Sequence, residues 1–255
     1  MKIDVTEQFK LLPKAPIVEA VIQIHARPEA SWAENEIVGI LRPKIPEYKK
    51  AVSRKQIRHQ VKLNANQPPE AIEENLGWHG LVCQTEDGKH GVQFNRDGFI
   101  FHRFSPYQKW EQFFNEALRL WKIYLEIARP VEAQRIGLRF INKIDLPPKE
   151  VNFEDYIRPH PETPFDLELP FMSFFHQDTL AVPGYPYAIN IIRTIQPPLN
   201  PQVEGLGLVV DIDAFTTQSF EIKDGMLEGR LTELRWLKNK AFFGSVTEKA
   251  LELFQ

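Results

Sequence analysis

The chain has 255 residues, enough for one large domain or two small ones around a sizeable core. It is 43% hydrophobic, 25% charged and 11% aromatic, which is typical of a folded globular protein and excludes a disordered one. The net charge of −3 argues against a nonspecific nucleic-acid binder, although a local basic patch stays open. The single cysteine, Cys83, excludes an intramolecular disulfide and a cysteine-based zinc cluster.

Two strands and a helix are predicted near the start of the chain. Residues 17–26 and 56–64 alternate apolar and polar side chains, as strands with one buried face do, and the charges of the second indicate an edge strand. Between them, Ser31 and Glu34 have the spacing of a capping box, and Pro43 ends the apolar pattern. We therefore predict a helix from residue 31 to residue 43.

An antiparallel meander is predicted for residues 79–104. Asp87-Gly88 and Asp97-Gly98 separate its apolar runs and are type I′ hairpin signals. A long amphipathic helix should follow.

The start of this helix is predicted from its capping residues. Ser105 has the chemistry of an N-cap, Pro106 suits the first helical position, and Gln108 completes a capping box. Apolar side chains then recur at helical spacing until Pro130 stops the pattern.

The strand with the clearest alternation is residues 135–145, RIGLRFINKID. One face carries apolar side chains for a core. The opposite face carries three cations, an unusual lining for a central strand: Arg135, Arg139 and Lys143. We expect any function of the protein to lie on this polar face.

The order of these elements matches a ferredoxin-like plan, βαββαβ, with an enlarged meander. In that plan the first and last strands are central neighbours. The polar side chains of both strands would then share one sheet face, where Glu19, Gln23 and His25 would lie beside the three cations. A pair between Glu19 and Arg139 is the expected contact.

The pattern of the second half of the chain predicts strands followed by helices, an order similar to that of the first half. Proline-rich residues 146–172 form a connector, and three antiparallel strands follow. A helix from Asp224 is broken at residues 242–244, and Thr247 caps a last short helix. The predicted fold class is α+β, with antiparallel sheets, helices on one face, and two ferredoxin-like halves at residues 1–147 and 148–255.

Five stretches together resemble a family of uncharacterised bacterial proteins of about 250 residues with a sporadic distribution among genomes. They are LPKAPIVEAVIQI, FNRDGFIFHRFSPYQKWEQF, RIGLRFINKIDLP, VVDIDAF and FFGSVTEKALELF. The resemblance spans nearly the whole chain and implies one bacterial or phage-like unit, but no activity. The resemblance implies that Pro16, Glu19, Arg139 and Asn142 are among the marked positions of the family. The family usually has a histidine before the last helix, where this chain has Asn239-Lys240-Ala241, and this difference argues against catalysis by that segment.

The first candidate site is the polar face, where Glu19, Arg135, Arg139 and Lys143, with Asn142 from the resemblance, could bind an anionic ligand or a partner's carboxylate. The simpler alternative is a structural ion pair. A second candidate is RNA cleavage by His25 and His102 with Arg103, which needs both imidazoles at one substrate.

A third candidate is a magnesium site at Asp211 and Asp213, with Asp178 or His176 on a nearby strand. The simpler alternative is a charged, solvent-facing strand. The sequence contains no phosphate-binding loop, no GxSxG and no HExxH motif, and it implies no cofactor.

Two functional hypotheses follow. The first is a non-enzymatic binding, interaction or regulatory module, associated with mobile or defence genes by its patchy distribution and working with a protein partner or as a homo-oligomer. The alternative is an RNA-processing nuclease or nucleotide-acting enzyme. No apolar core of a signal peptide and no apolar run near the length of a membrane span, roughly eighteen residues, is present, so we expect a cytoplasmic protein with no membrane partner.

Overall fold

A computed structural model describes residues 1–30, 32–62, 68, 70–146, 151–164, 169–198 and 204–255. Its strands are β1 (Ile17–Pro28), β2 (Lys50–Lys62), β3 (Glu70–Gln84), β4 (His90–Asn95), β5 (Gly98–Phe104), β6 (Pro130–Leu146), β7 (Phe175–Ala181), β8 (Tyr187–Gln196), β9 (Leu206–Thr216) and β10 (Phe220–Glu221). Its α-helices are α1 (Glu34–Lys44), α2 (Trp110–Ala128), α3 (Met226–Ser245) and α4 (Glu248–Glu252). The predicted α+β class is confirmed.

The strands form one antiparallel sheet in the order β2-β3-β4-β5-β1-β6-β9-β8-β7, and β10 also pairs with β6. The prediction that β1 and β6 are central neighbours is confirmed, as is the edge position of β2. The sheet continues from β6 into β9 over ten residue pairs. The boundary predicted after residue 147 lies outside the described residues, and the division into two ferredoxin-like halves stays a prediction.

The core lies between one face of this sheet and the three longer helices. The apolar side chains of β6 at positions 136, 138, 140 and 144 are at most 1% exposed. Phe113 of α2 packs on Phe101 and Phe140, with ring centroids 5.3 and 6.0 Å apart. Burial of each such side chain stabilises the fold by about 1.5–3 kcal/mol. The other face has no helix of the described residues packed on it, and we call it the open face.

Helix α1 begins later and ends later than predicted. Its N-cap is Ala33, whose N–H donates to the Glu36 carboxylate at 3.1 Å, so the capping-box spacing is used two residues downstream. Ser31 lies outside the described residues. Pro43 falls within the last turn and does not end the helix, because it removes only its own N–H bond and the Ile45 N–H still donates to the Leu41 carbonyl at 2.9 Å.

Helix α2 begins at Trp110 with Lys109 as its N-cap, so the predicted Ser105 cap is wrong. The Ser105 N–H donates instead to the Val18 carbonyl at 3.0 Å and extends the pairing of β5 with β1. The helix ends at Ala128, before Pro130, as predicted.

The two predicted hairpins are confirmed, but their turn type is wrong. A type I′ turn needs positive φ at both central residues. Arg129 is the one non-glycine residue with positive φ in the described ranges, so neither Asp87 nor Asp97 has the required conformation. The Asp87 carboxylate accepts hydrogen bonds from the Thr85 hydroxyl at 2.7 Å and the Lys89 N–H at 3.1 Å, which stabilises the turn through the side chain.

Helix α3 continues through the predicted break at residues 242–244 to Ser245. Phe242 is buried, and Phe243 stacks on Phe9 with ring centroids 5.5 Å apart. This packing outweighs the cost of Gly244 near the helix end, about 1 kcal/mol. The predicted Thr247 cap is confirmed, because its hydroxyl accepts from the Ala250 N–H at 3.2 Å. No helix in the described part of the chain is long and apolar enough to cross a membrane.

Candidate functional site

The cations predicted on the polar face are present on the open face, where two are paired with the aspartates of β9. Arg139 donates from Nε to Asp211 Oδ1 at 2.8 Å and from Nη2 to Oδ2 at 2.5 Å. Arg135 Nη2 donates to Asp213 Oδ2 at 2.6 Å. The hydrogen bonds and charge of Asp211 raise the pKa of Arg139. A magnesium ion at these aspartates would therefore have to displace both guanidiniums.

The pair expected between Glu19 and Arg139 is replaced by two other contacts. Glu19 Oε1 lies 2.7 Å from His102 Nδ1, and Arg139 turns to Asp211. The register explains the change, because Glu19 lies opposite Ile141 rather than opposite Arg139. Arg139, Arg135 and Glu19 therefore each have a partner on the open face, where Lys143 also lies by the alternation of β6.

The two histidines proposed for RNA cleavage share the open face but are far apart. His102 lies opposite Val21, and His25 is four positions further along β1. At about 3.3 Å per residue the two imidazoles are separated by roughly 13 Å along the strand. Arg103 projects from the opposite face, where it donates to the Pro106 carbonyl at 2.9 Å. This geometry does not bring two imidazoles to one substrate atom.

The proposed partners of the aspartates are also on the helix side. Asp178 and His176 contact each other at 3.2 Å, and Asp178 forms an ion pair with Arg193. Across β8, Asp178 aligns with Ile212 and His176 with Val210, which lie on the opposite face of β9 from Asp211. The described residues contain no group of three His, Cys, Asp or Glu side chains that could hold a metal ion.

Asn142 is separated from the other predicted site residues by the sheet itself. It is 3% exposed on the helix side, and its Nδ2 donates to the Val210 carbonyl at 3.0 Å. There it contributes to the wall of a cavity that sequence reasoning missed.

We call this space the α3 cavity. It has a volume of about 360 Å³ and lies between residues 5–17, residues 107–111 and helix α3. Its lining includes the side chains of Tyr107, Phe140, Asn142, Arg235, Lys238 and Asn239.

The N-terminal segment forms one wall of the α3 cavity and is fastened to α3. The Glu7 carboxylate accepts from Trp236 Nε1 at 2.8 Å and from Lys240 Nζ at 2.6 Å. The stack of Phe9 on Phe243 adds an apolar contact. The Lys14 N–H also donates to the Phe254 carbonyl at 3.1 Å. The segment is therefore part of the cavity rather than a loose tail.

Two cations of α3 enter the cavity without a carboxylate partner among the described residues. Lys238 Nζ lies 4.0 Å from the centroid of the Phe140 ring. The Arg235 guanidinium lies 4.9 Å from the centroid of the Trp110 ring. Burial, together with a smaller effect of the charge of Arg235, lowers the pKa of Lys238 to about 7. The cavity thus concentrates positive charge in an aromatic setting.

A signal for this site existed in the sequence. Leu231, Leu234, Lys238 and Phe242 occupy one helical stripe, at spacings of three, four and four residues. A lysine on the stripe that faces a core needs a partner or a cavity. The surrounding walls come from distant segments, so the sequence could not show which of the two applies.

Comparison of the chain with protein-family models found no match, and comparison with curated proteins found none either. The resemblance to a sporadically distributed bacterial family therefore stays a prediction. Function has to be argued from the chemistry of the site.

Proposed function

We propose that the protein is a binding module that holds an anionic small molecule in the α3 cavity, with Lys238 and Arg235 taking the negative charge. The observation that carries the proposal is the pair of cations without a carboxylate partner among the described residues, at a cavity of about 360 Å³. Small-molecule sites typically have volumes of about 300–1,000 Å³.

Electrostatics favour an anion over a neutral ligand. Two like charges in a partly desolvated space repel each other, and this repulsion contributes to the lowered pKa of Lys238. A carboxylate or phosphate would compensate both cations and accept charge-assisted hydrogen bonds from them. Asn142 and Asn239 could orient polar groups of the ligand, and the aromatic rings could contact its apolar part.

Native mass spectrometry of freshly purified protein is the first test, because a mass above an integer number of chains would reveal a retained ligand. Calorimetric titration with phosphate, benzoate and phenyllactate then measures affinity. We expect Lys238→Met to weaken binding of the preferred anion at least about tenfold, the scale of a lost charged hydrogen bond. Lys122→Met, on an exposed position of α2, is the matched control. Equal affinities for wild type and Lys238→Met would reject the proposal.

A specific observation also favours the protein partner expected from the sequence. β3 pairs with β4 only from Gly80 to Gln84, so the outer parts of β2 and β3 form a two-stranded ribbon beyond the sheet. Ile57 and Val61 on this ribbon are 47% and 64% exposed. Because isolated two-stranded ribbons are only marginally stable, a partner that covers it would stabilise the ribbon. Removal of these side chains in Ile57→Ser/Val61→Ser should abolish co-purification of such a partner.

A further inference from the structure

The amine of Lys238 has the surroundings that favour a nucleophile. Arg235 is one turn earlier on the same helix, and burial and this charge together lower the pKa of Lys238. Nζ also lies 4.0 Å from the centroid of the Phe140 ring, a contact that favours the ammonium form and is outweighed by the other two effects. Desolvation and a neighbouring cation both stabilise a neutral amine, whose lone pair is available for attack. The titratable groups that line the cavity around it are Glu7 and Lys10 of the N-terminal segment, Tyr107, Lys109 and Glu111 before and in α2, and Arg235.

We infer that Lys238 forms an imine with the carbonyl carbon of a 2-oxo acid whose carboxylate is held by Arg235. This inference rests on the proposed function, because that carboxylate is the bound anion. Residues three apart on a helix have Cβ atoms about 5–6 Å apart, so their two long side chains can reach adjacent groups of one small ligand. In a 2-oxo acid the carboxylate and the carbonyl carbon are directly bonded.

The reaction requires no redox step. Nζ attacks the carbonyl carbon, and a proton moves from nitrogen to the former carbonyl oxygen to give a carbinolamine. The hydroxyl group then leaves as water with the second amine proton, and a carbon–nitrogen double bond replaces the carbonyl. The sum is one amine and one carbonyl giving one imine and one water. Tyr107 lines the same cavity, and burial raises its pKa, so its hydroxyl stays protonated and able to donate a proton to the leaving group.

The fraction of neutral amine explains why this lysine and not a surface lysine would react near neutral pH. With a pKa of about 7, about half of the Lys238 side chains are neutral at pH 7. An ordinary lysine with a pKa near 10.4 is neutral in fewer than about one molecule in a thousand. Imine formation by Lys238 also needs no histidine, so it is compatible with Asn239-Lys240-Ala241 standing where the resembled family usually has one.

The test is reductive trapping in the full-length protein. Pyruvate and phenylpyruvate are the probes, and sodium borohydride supplies the hydride that converts an imine into a stable secondary amine. We expect one adduct per chain, mapped by peptide mass spectrometry to Lys238, with a rate that reaches half its maximum near pH 7. Adducts spread over surface lysines such as Lys122, or none, would overturn the inference.

Two variants separate a reactive amine from a general binding effect. Lys238→Arg keeps the charge and should abolish the adduct, while Arg235→Gln should keep Lys238 as the modified residue and slow trapping by roughly tenfold because the carboxylate loses its partner. Circular dichroism checks that both variants are folded. Phenyllactate, which has no carbonyl, should compete without forming an adduct. If phenyllactate binds but phenylpyruvate and pyruvate are not trapped, anion binding stands and the imine is wrong. If nothing binds and nothing is trapped, both proposals fail.

Discussion

At the scale of single residues, Lys238 links the free energy of unfolding to pH. Its pKa is about 7 in the folded protein and near 10.4 in an unfolded chain. Between these values the unfolded state binds more protons, so the free energy of unfolding rises with pH. The contribution is at most about 1.4 kcal/mol per pH unit. This dependence of the free energy of unfolding on pH disappears below pH 7, where Lys238 is protonated in both the folded and the unfolded state.

We therefore expect the free energy of unfolding of wild type, relative to Lys238→Met, to increase from pH 7 to pH 9. Urea denaturation at pH 7, 8 and 9 measures this difference. Burial raises the pKa of the Cys83 thiol to about 11, which acts in the opposite direction above about pH 8.5, but Cys83 is present in both proteins and its effect cancels in the difference. Parallel pH profiles for the two proteins would show that the Lys238 amine is not desolvated.

Arg139 shows how a predicted ligand-binding residue can serve the fold. Its guanidinium is 46% exposed, but the Asp211 carboxylate that it holds is only 9% exposed. Arg139→Ala should lower the free energy of unfolding by about 1–2 kcal/mol, because a nearly buried carboxylate loses its donor. The double variant Arg139→Ala/Asp211→Ala should cost less than the sum of the single variants in urea denaturation. Strict additivity would contradict a coupled pair.

At the scale of elements, the core helices and the β2–β3 ribbon should respond differently to the loss of apolar side chains. Leu231 of α3 is fully buried, and Leu231→Ala should lower the free energy of unfolding by about 2–5 kcal/mol. Val61 lies on the exposed ribbon, and Val61→Ala should change the free energy of unfolding by less than about 0.5 kcal/mol. Thermal denaturation of both variants measures the contrast. A large loss from Val61→Ala would mean that the ribbon is covered in solution, as in a homo-oligomer.

Element boundaries show where local patterns fail. The predicted alternation at residues 135–145 gave the correct faces of β6, because a period of two has no alternative when one face is buried. The Ser105 cap failed because residue 105 continues the pairing of β5 with β1, almost ninety residues earlier in the chain, and the helix begins only at Trp110. The break at residues 242–244 failed because Phe9 packs on Phe243 from the other end of the sequence.

At the scale of the whole molecule, the N-terminal segment couples the ends of the chain. Glu7 contacts residues separated from it by 229 and 233 positions, and it lines the α3 cavity. Glu7→Gln should loosen residues 1–16, because it removes a charged partner of Lys240 and weakens the acceptor of Trp236. We expect faster amide hydrogen exchange in this segment, measured by mass spectrometry, and weaker anion binding. Glu221→Gln, at an exposed pair with Lys223, is the control and should leave both unchanged.

The sequence by itself determined the α+β class and most of the strands, which follow from periodicity, and it predicted the adjacency of β1 and β6 from the βαββαβ order of elements. The tertiary structure decided which charges meet. Arg139 and Asp211 are 72 positions apart and were assigned to two different candidate sites, yet the register of β6 against β9 joins them. Asn142, by contrast, is three positions from Arg139 on one strand, so the alternation of β6 alone places it on the helix side. The α3 cavity is built from four segments that are distant in the chain, the N-terminal segment, residues 107–111, β6 and α3, so its chemistry depends on packing that no local pattern encodes.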